Sequence, residues 1–600
     1  MLSRIAYIIC VAVTCYCCFF FCPKWHKDGG ESAIRWDIAT YYWYLPSAFI
    51  YKDLKYQRFA DSITKKYHPF GNGPLPFDKQ ENDGYVMTYS SGMAFMYLPL
   101  FVVAHICAGP LGYPEDGFSP PYQFAMQVGS LLFALIGLWY YRKLLLLYFE
   151  DKVTAILLLV LVLGTAYFNY SAIDGPMTHC WLFGIYALLL LNTHHFYNRP
   201  SYKYALRIGI LCGLALLIRP SEIICILIPL LWNMESLSKT AWRQKFAFLR
   251  QQMKYLAIAA LCIVCIGSVQ LFYWKYVSGH WLVYSYGSDK TFSWLAPHFD
   301  NYIFSYKSGW LRYCPVMLFA LLGIWQLIKH GKNRVAIFTF SILNLYIISA
   351  WDIWWYAGIP ARAMIQGYAV LLFPFGYYLQ SLFTKKLWFK WLAAGFMVLF
   401  VYVNIWLVIN AHKAGGLFDS DCMNKTYYMR VIGRWHVNPD VEKLKDTDEL
   451  FEGTPQHMAL VYSNDFEQDT IIPTKYEAIN GRVSDYIEDG REYSQSLKFS
   501  FDKKDAEWLR AQATFRATLK EWNIWKMPQL AVKFINNKGE VIKDNALCIH
   551  RFLDDYHTKD IYLDVRIPDK PFDKVEIFIW NRGSSIPLLY DDVKVWSFNE

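Results

Sequence analysis

The chain has 600 residues, 55% hydrophobic and 18% aromatic, with 24 Trp, 45 Tyr and 42 Phe. Long apolar runs recur from Met1 to about Ala411, which excludes an ordinary soluble globule and indicates a polytopic membrane protein. The formal charge of +9 is spread over loops rather than gathered in a basic stripe, which argues against nucleic acid as a partner.

Residues 2–22 are apolar, carry Arg4 and show no small-x-small cleavage pattern before Pro23, so an uncleaved first helix is expected. Soon after comes Trp36-Asp37-Ile38-Ala39-Thr40-Tyr41-Tyr42-Trp43-Tyr44-Leu45-Pro46, a single carboxylate on an aromatic run. Trp and Tyr favour the membrane–water interface because they are apolar at one end and polar at the other. The run is either an aromatic belt with a solvated acid, or Asp37 is placed beside Tyr41 and Tyr42 to meet the head group of a lipid-borne substrate.

Runs long enough to span lie near 3–22, 122–141, 153–171, 177–197, 255–277, 313–328, 335–350, 364–382 and 388–411, with shorter ones at 204–218 and 221–234. Alternate loops are rich in Lys and Arg (Arg142 to Lys152, Arg199 to Arg207, Lys239 to Lys254, Lys329 to Arg334, Lys385 to Lys390). The positive-inside rule makes that set cytoplasmic and turns the loops around Asp174, Arg219, 278–312 and 351–363 outward, with everything after about Ala411. The run 93–108 decides the side of Asp37. If it spans, Asp37 falls on the basic side; if it lies along the surface, Asp37 joins the outer loops and the chain has about 11 spans. Its shortness and Pro99 favour the surface reading.

Fifteen-residue helices rise about 22 Å against a hydrocarbon core of roughly 30 Å, so the junction Arg219-Pro220 should lie below the outer surface. A charge at that depth needs a wet cavity or a partner. Arg219 therefore either satisfies itself with Glu222 or grips a lipid phosphate bidentately. In the loop 169–179, Asp174 is a turn former before Gly175-Pro176 or a site carboxylate, and His179 a capping residue or a site imidazole. Trp351-Asp352-Ile353-Trp354-Trp355-Tyr356 through Arg362 is either another interfacial belt or a sugar platform. In the second case Trp354, Trp355 and Tyr356 face sugar rings, while Asp352 and Arg362 contact hydroxyls or phosphate. The loop 279–312, with Tyr284, Tyr286, Asp289, Lys290, His298, Asp300 and Lys307, is a candidate lid.

Most of the 14 Cys lie in apolar segments, and no pair has metal-ligand spacing with His. Beyond the membrane part only Cys422 and Cys548 remain, and they could pair outside the cell. From about Met429 the pattern changes to period-two strands at 497–501, 511–517, 530–535, 561–567, 575–580 and 588–596, which predicts an independent β-sandwich of jelly-roll type. No P-loop, G-x-S-x-G or H-E-x-x-H motif is present.

The phrases WDIATYYWYLPSAFIYKDL (36–54), SGMAFMYLPLF (91–101), DGFSPPYQ (116–123), DGPMTH (174–179), GLALLIRPSE (213–222) and WDIWWYAGIPAR (351–362) are together similar to the GT-C membrane glycosyltransferases. The likeness is to the protein O-mannosyltransferase and aminoarabinose transferase branch, in Bacteroidota-type members, and covers roughly residues 1–411. The resemblance implies a GT-C-like transmembrane domain over 1–411 with a large first outer loop at 23–121, a linker at 412–430, and a periplasmic sandwich at 431–600 that resembles carbohydrate-binding modules in pattern. It implies a multi-pass protein of the bacterial inner membrane that transfers a sugar, with inversion, from a polyprenyl-phosphate donor to a glycan, lipid or protein acceptor. Asp37 matches the family's first-loop acid, a base or acceptor-orienting group. Asp174 is a second candidate acid, and Arg219 and Arg362 are the expected phosphate ligands. Tyr41, Tyr42, His179, Trp354, Trp355 and Tyr356 would shape the sugar and acceptor sites. No nucleotide is required. Some relatives use a divalent cation at the first-loop acid, but no ligand set for one stands out. Many relatives carry a second acid beside the first, where this chain has Ile38. The competing classes are a polysaccharide ligase or polymerase using a lipid pyrophosphate, and a lipid or sugar transporter, whose usual inverted repeats are not visible.

Overall fold

A computed structural model describes residues 1–71, 73–287, 290–468, 475–501 and 506–600. The chain divides into two compact units, Met1–Asp421 and Cys422–Glu600, within the stretch read as a linker. The first is mostly helical. Among the described residues, Leu2–His26, Pro120–Leu145, Met253–Ser278 and Leu387–His412 are long and apolar enough to cross a membrane. Shorter apolar helices include Gly92–Ala108, Pro220–Leu231, Pro315–His330, Arg334–Ala350 and Tyr368–Phe383. The run 153–171 is not one helix. Asp151–Gly164 stops at an extended Thr165, whose hydroxyl donates to the Leu161 carbonyl (2.6 Å) and accepts from the Tyr167 amide (3.2 Å), restarting the helix at Tyr167–Ala172.

Small residues set the closest helix crossings. Gly137 lies against Gly184, where Pro120–Leu145 meets Thr178–Asn198, and Gly209 lies against the backbone of Ala259, where Tyr202–Ile218 meets Met253–Ser278. Without a Cβ, backbones approach closely enough to gain dispersion contact where lipid gives no hydrophobic drive. The helical unit has two polar ends. At one, the N-terminal amine pairs with Asp151 (2.7 Å), Arg142 donates to Ser3 (2.8 Å) and Arg334 pairs with Glu235 (3.1 Å). At the other, the Ile34 amide donates to Gln123 (2.7 Å), Arg35 pairs with Asp174 (2.8 Å) and His412 contacts Asn169 (2.6 Å). The chain between the first helix and Pro120, Gly92–Ala108 included, therefore leaves and returns at one end.

In the second unit, alternating residues build two antiparallel sheets around one core. We label the strands β1 (Gln456–Asn464), β2 (Asp485–Ile487), β3 (Leu497–Ser500), β4 (Trp508–Ala517), β5 (Gln529–Ile535), β6 (Val541–Cys548), β7 (Thr558–Arg566), β8 (Lys574–Trp580) and β9 (Leu588–Asn599). One sheet runs β3-β8-β5-β6 and the other β1-β9-β4-β7, with β2 also on β9. Leu509, Ala511, Phe515, Val532, Phe534, Leu547, Val565 and Val595 fill the space between them. Cys422 and Cys548 are not joined in a disulfide; the Arg551 guanidinium donates to Cys422 Sγ (3.0 Å) and pairs with Asp446 (2.8 Å).

Candidate active site

The site begins on the helix Trp36–Tyr42. Asp37 and Tyr41 are four apart and share a face, while Tyr42 is rotated about 100° away. Asp37 Oδ1 accepts from the Tyr89 hydroxyl (2.9 Å), and Oδ2 pairs with Arg362 Nη2 (3.1 Å). Tyr41 stacks on Tyr89 with ring centroids 4.5 Å apart, and Tyr286 meets Tyr89 edge-on at 5.7 Å. Burial pushes the Tyr286 and Tyr356 phenols up to about 12, so both remain hydrogen-bond donors.

Arg362 starts the turn Arg362–Met364 behind Ala361, whose φ of 64° is left-handed. Gly358 (φ 93°) lets the loop pass closely; a Cβ there would stand 3.3 Å from the Tyr170 hydroxyl and 3.8 Å from Arg362 Nη1. Burial works against the charge on Arg362, but Tyr170 and Asp37 outweigh it and keep the guanidinium positive. Its Nε has no partner among the described residues.

Arg219 ends the helix Tyr202–Ile218 and precedes the 3-10 turn Pro220–Ile226. Glu222 does not pair with it: the Glu222 oxygens accept from Tyr186 (2.6 Å) and Gln366 (3.0 Å). The Arg219 side chain is half-buried among Tyr41, Tyr356 and Tyr286, with the Glu222 carboxylate near enough to favour its charge, and among the described residues its guanidinium makes no hydrogen bond or ion pair. His179 is buried, with Nδ1 3.5 Å from Gln366 Oε1 and its ring edge-on to Tyr170 at 5.2 Å.

Four expectations change. Tyr42 faces the core rather than a cavity, donating to the Gly117 carbonyl (2.5 Å) and packing on Phe101 and Phe118. Asp174 pairs with Arg35 and accepts from Asn169 (2.9 Å). Burial would raise its pKa, but the Arg35 guanidinium overrides this and holds the carboxyl below the usual range. Asp352 is occupied by Thr291 (2.5 Å) and Ser293 (2.6 Å), stitching the loop 290–298 to the loop 349–352. Trp354 and Trp355 meet edge to face at 5.7 Å, with the Lys307 ammonium over the Trp355 ring, and no hydrogen bond or ring contact among the described residues joins them to Asp37 or either arginine. Of the candidate lid, Asp289 lies outside the described residues.

The sequence reading missed residues 89–92. Tyr89 holds Asp37, Ser90 donates to the Ile218 carbonyl (2.9 Å) just before Arg219, Ser91 bonds Gln270 (2.9 Å), and Gly92 packs on the backbone of Leu217–Ile218. The signal available was the small run Ser90-Ser91-Gly92, behind Tyr89, opening an apolar helix. Among the described residues no three His, Cys, Asp or Glu groups gather for a metal. A cation at Asp37 would meet one carboxylate already bound to a guanidinium, which does not fit.

No family model and no curated protein match the chain. One similar solved structure is a "Family 16 Carbohydrate Binding Module-2", at 12% identity and a TM-score of 0.16, covering 20% of this chain and 79% of that one.

Proposed function

We propose that the chain is a GT-C-type membrane glycosyltransferase that takes a sugar from a polyprenyl-phosphate donor. The observation carrying this reading is an unpaired, half-buried Arg219 guanidinium that shares Tyr41 and Tyr286 with the Asp37–Arg362 pair. A guanidinium held among phenols, with Glu222 acting on its charge but bonded to Tyr186 and Gln366 instead, suits two phosphate oxygens. In the reaction, the acceptor hydroxyl or amine attacks the anomeric carbon and gives its proton to Asp37. The bond from that carbon to the phosphate oxygen breaks, and the polyprenyl phosphate leaves with its electron pair. As Asp37 takes the proton its hold on Arg362 weakens, freeing that guanidinium for the phosphate charge developing beside Arg219. The shared end of Asp37, Arg219 and Arg362 supports a re-entrant Gly92–Ala108 and eleven passes. The positive-inside rule then supports an extracytoplasmic site and sandwich in a bacterial inner membrane.

The test is consumption of a panel of polyprenyl-phosphate sugars by purified full-length protein. Asp37→Asn and Arg219→Ala each reduce turnover by about 100-fold or more with the melting temperature retained; Arg219→Lys recovers part of the loss, because it restores charge but not the bidentate fork. Unchanged turnover in Asp37→Asn removes the carboxylate from the chemistry.

A further inference from the structure

The helix Lys239–Gln251 lies outside the site, at the end of the helical unit where Arg334 pairs with Glu235. Ser238 caps it, accepting from the Ala241 amide at 3.2 Å. Its inner face is clasped to the bundle. Lys245 turns inward, donating to the Tyr197 hydroxyl (3.0 Å) and the Trp232 carbonyl, and Phe248 stacks on Tyr197 at 4.8 Å. The outer face is unlike an ordinary solvated surface. Trp242 and Phe246 stack at 5.6 Å and with Leu249 form one stripe of the helix at a spacing of four and three; Met253 follows beyond the break at Gln252, as the first residue of the next helix. Phe246 is 62% exposed and Met253 59%. Beside this stripe run Lys239, Arg243 and Arg250, followed beyond Gln252 by Lys254, whose ammonium lies over the Tyr255 ring; all four are exposed and none is in an ion pair among the described residues. No Asp or Glu occurs from Ser236 to Lys254.

Only Gln252 separates this helix from Met253–Ser278, one of the helices able to cross a membrane and the one with the least buried apolar window, at 6%. That neighbour fixes the depth. The stripe must lie where the hydrocarbon of the spanning helix gives way to head groups, and an apolar stripe flanked by cations in that plane is complementary to an anionic lipid surface.

We infer that Lys239–Gln251, with the first residues of the helix that follows it, is an in-plane anchor that binds anionic phospholipid head groups through Lys239, Arg243, Arg250 and Lys254, with Trp242, Phe246 and Met253 inserted among the upper acyl carbons. The inference is independent of the sugar-transfer reading. It is tested with the full chain in nanodiscs of phosphatidylcholine alone or mixed with phosphatidylglycerol, with Phe246 replaced by a genetically encoded fluorescent amino acid and spin-labelled lipids as quenchers. Quenching is expected to be stronger from a label near the head group than from one at the chain centre, and to increase when phosphatidylglycerol is added. The combined Lys239→Gln, Arg243→Gln, Arg250→Gln and Lys254→Gln variant changes only exposed side chains; it keeps the quenching in phosphatidylcholine and loses the increment. A second measurement is the melting temperature in detergent, which phosphatidylglycerol raises in the wild type and not in the variant. Absence of quenching by either lipid, as when another protein or a second copy covers the helix, overturns the inference. So does an increment that survives in the variant.

Discussion

At the level of single residues, the difference between Arg219 and Asp174 is one of partners. Both sit near charges of the opposite sign in sequence or in space, yet Glu222 is taken by Tyr186 and Gln366 while Asp174 is taken by Arg35. Asp174 is thus a positioning residue for the segment that leads into Asp37, two residues beyond Arg35. Breaking a pair this sheltered leaves one charge stranded, so Asp174→Asn should cost about 3 kcal/mol of stability at neutral pH, read as a lower melting temperature. The sign of the pH effect follows from the depressed carboxyl. Its contribution is complete above the ordinary value of 3.8 and fades as the pH falls from there through the lower folded value. The difference in melting temperature between wild type and Asp174→Asn therefore shrinks below about pH 4. The double variant Arg35→Leu/Asp174→Leu loses less than the sum of the two singles.

Among the elements, the segment Tyr89-Ser90-Ser91-Gly92 couples the two halves of the site. Gly92 has no room for a side chain, because a Cβ would collide with the backbone of Leu217 and Ile218 immediately before Arg219. Gly92→Ala therefore displaces Arg219 while leaving most of the bundle intact. The expected result is a loss of turnover of about 100-fold, as misplacement by an ångström produces, with a stability cost of only about 1–3 kcal/mol. Equal losses of turnover and folded protein would count against this coupling. This is also where legibility in the sequence ended. The depth and chemistry of Arg219 follow from helix length and charge, and the strands of the sandwich from period two. The helix period would have turned Tyr42 away from Asp37, since adjacent residues on a helix point about 100° apart. Tyr89 was not recoverable, because pairing it with Asp37 needs the path of the first outer loop, whose turns carry no periodic signal. The two short strands Phe77–Lys79 and Tyr85–Met87 that carry Tyr89 to its place are each three residues long. Likewise β1 and β6 went unread: β1 is largely exposed, and β6 is interrupted by Lys543, Asp544 and Asn545, so neither shows clean alternation.

For the whole molecule, the two units differ in what stabilises them. The helical unit relies on close backbone crossings at Gly137 and Gly209, whereas Cys422–Glu600 has its own apolar core and sheltered ion pairs, Arg551 with Asp446 and Arg510 with Asp564 (2.7 Å). Residues 422–600 produced alone should be soluble, give a β-type circular dichroism spectrum and unfold in one cooperative step. Leu509→Ala, which opens a cavity between the sheets, should lower that stability by about 3 kcal/mol. Gradual, non-cooperative melting of the isolated segment would show that its core depends on the helical unit.

Asp37 and Arg362 touch across 325 positions of chain. A ribosome delivers the acid among the first residues to enter the membrane and the guanidinium only after most of the helices have followed. A nascent or truncated chain therefore carries half of the charge pair and cannot complete it. The pair, and with it the proposed transfer chemistry, is therefore complete only late in biogenesis.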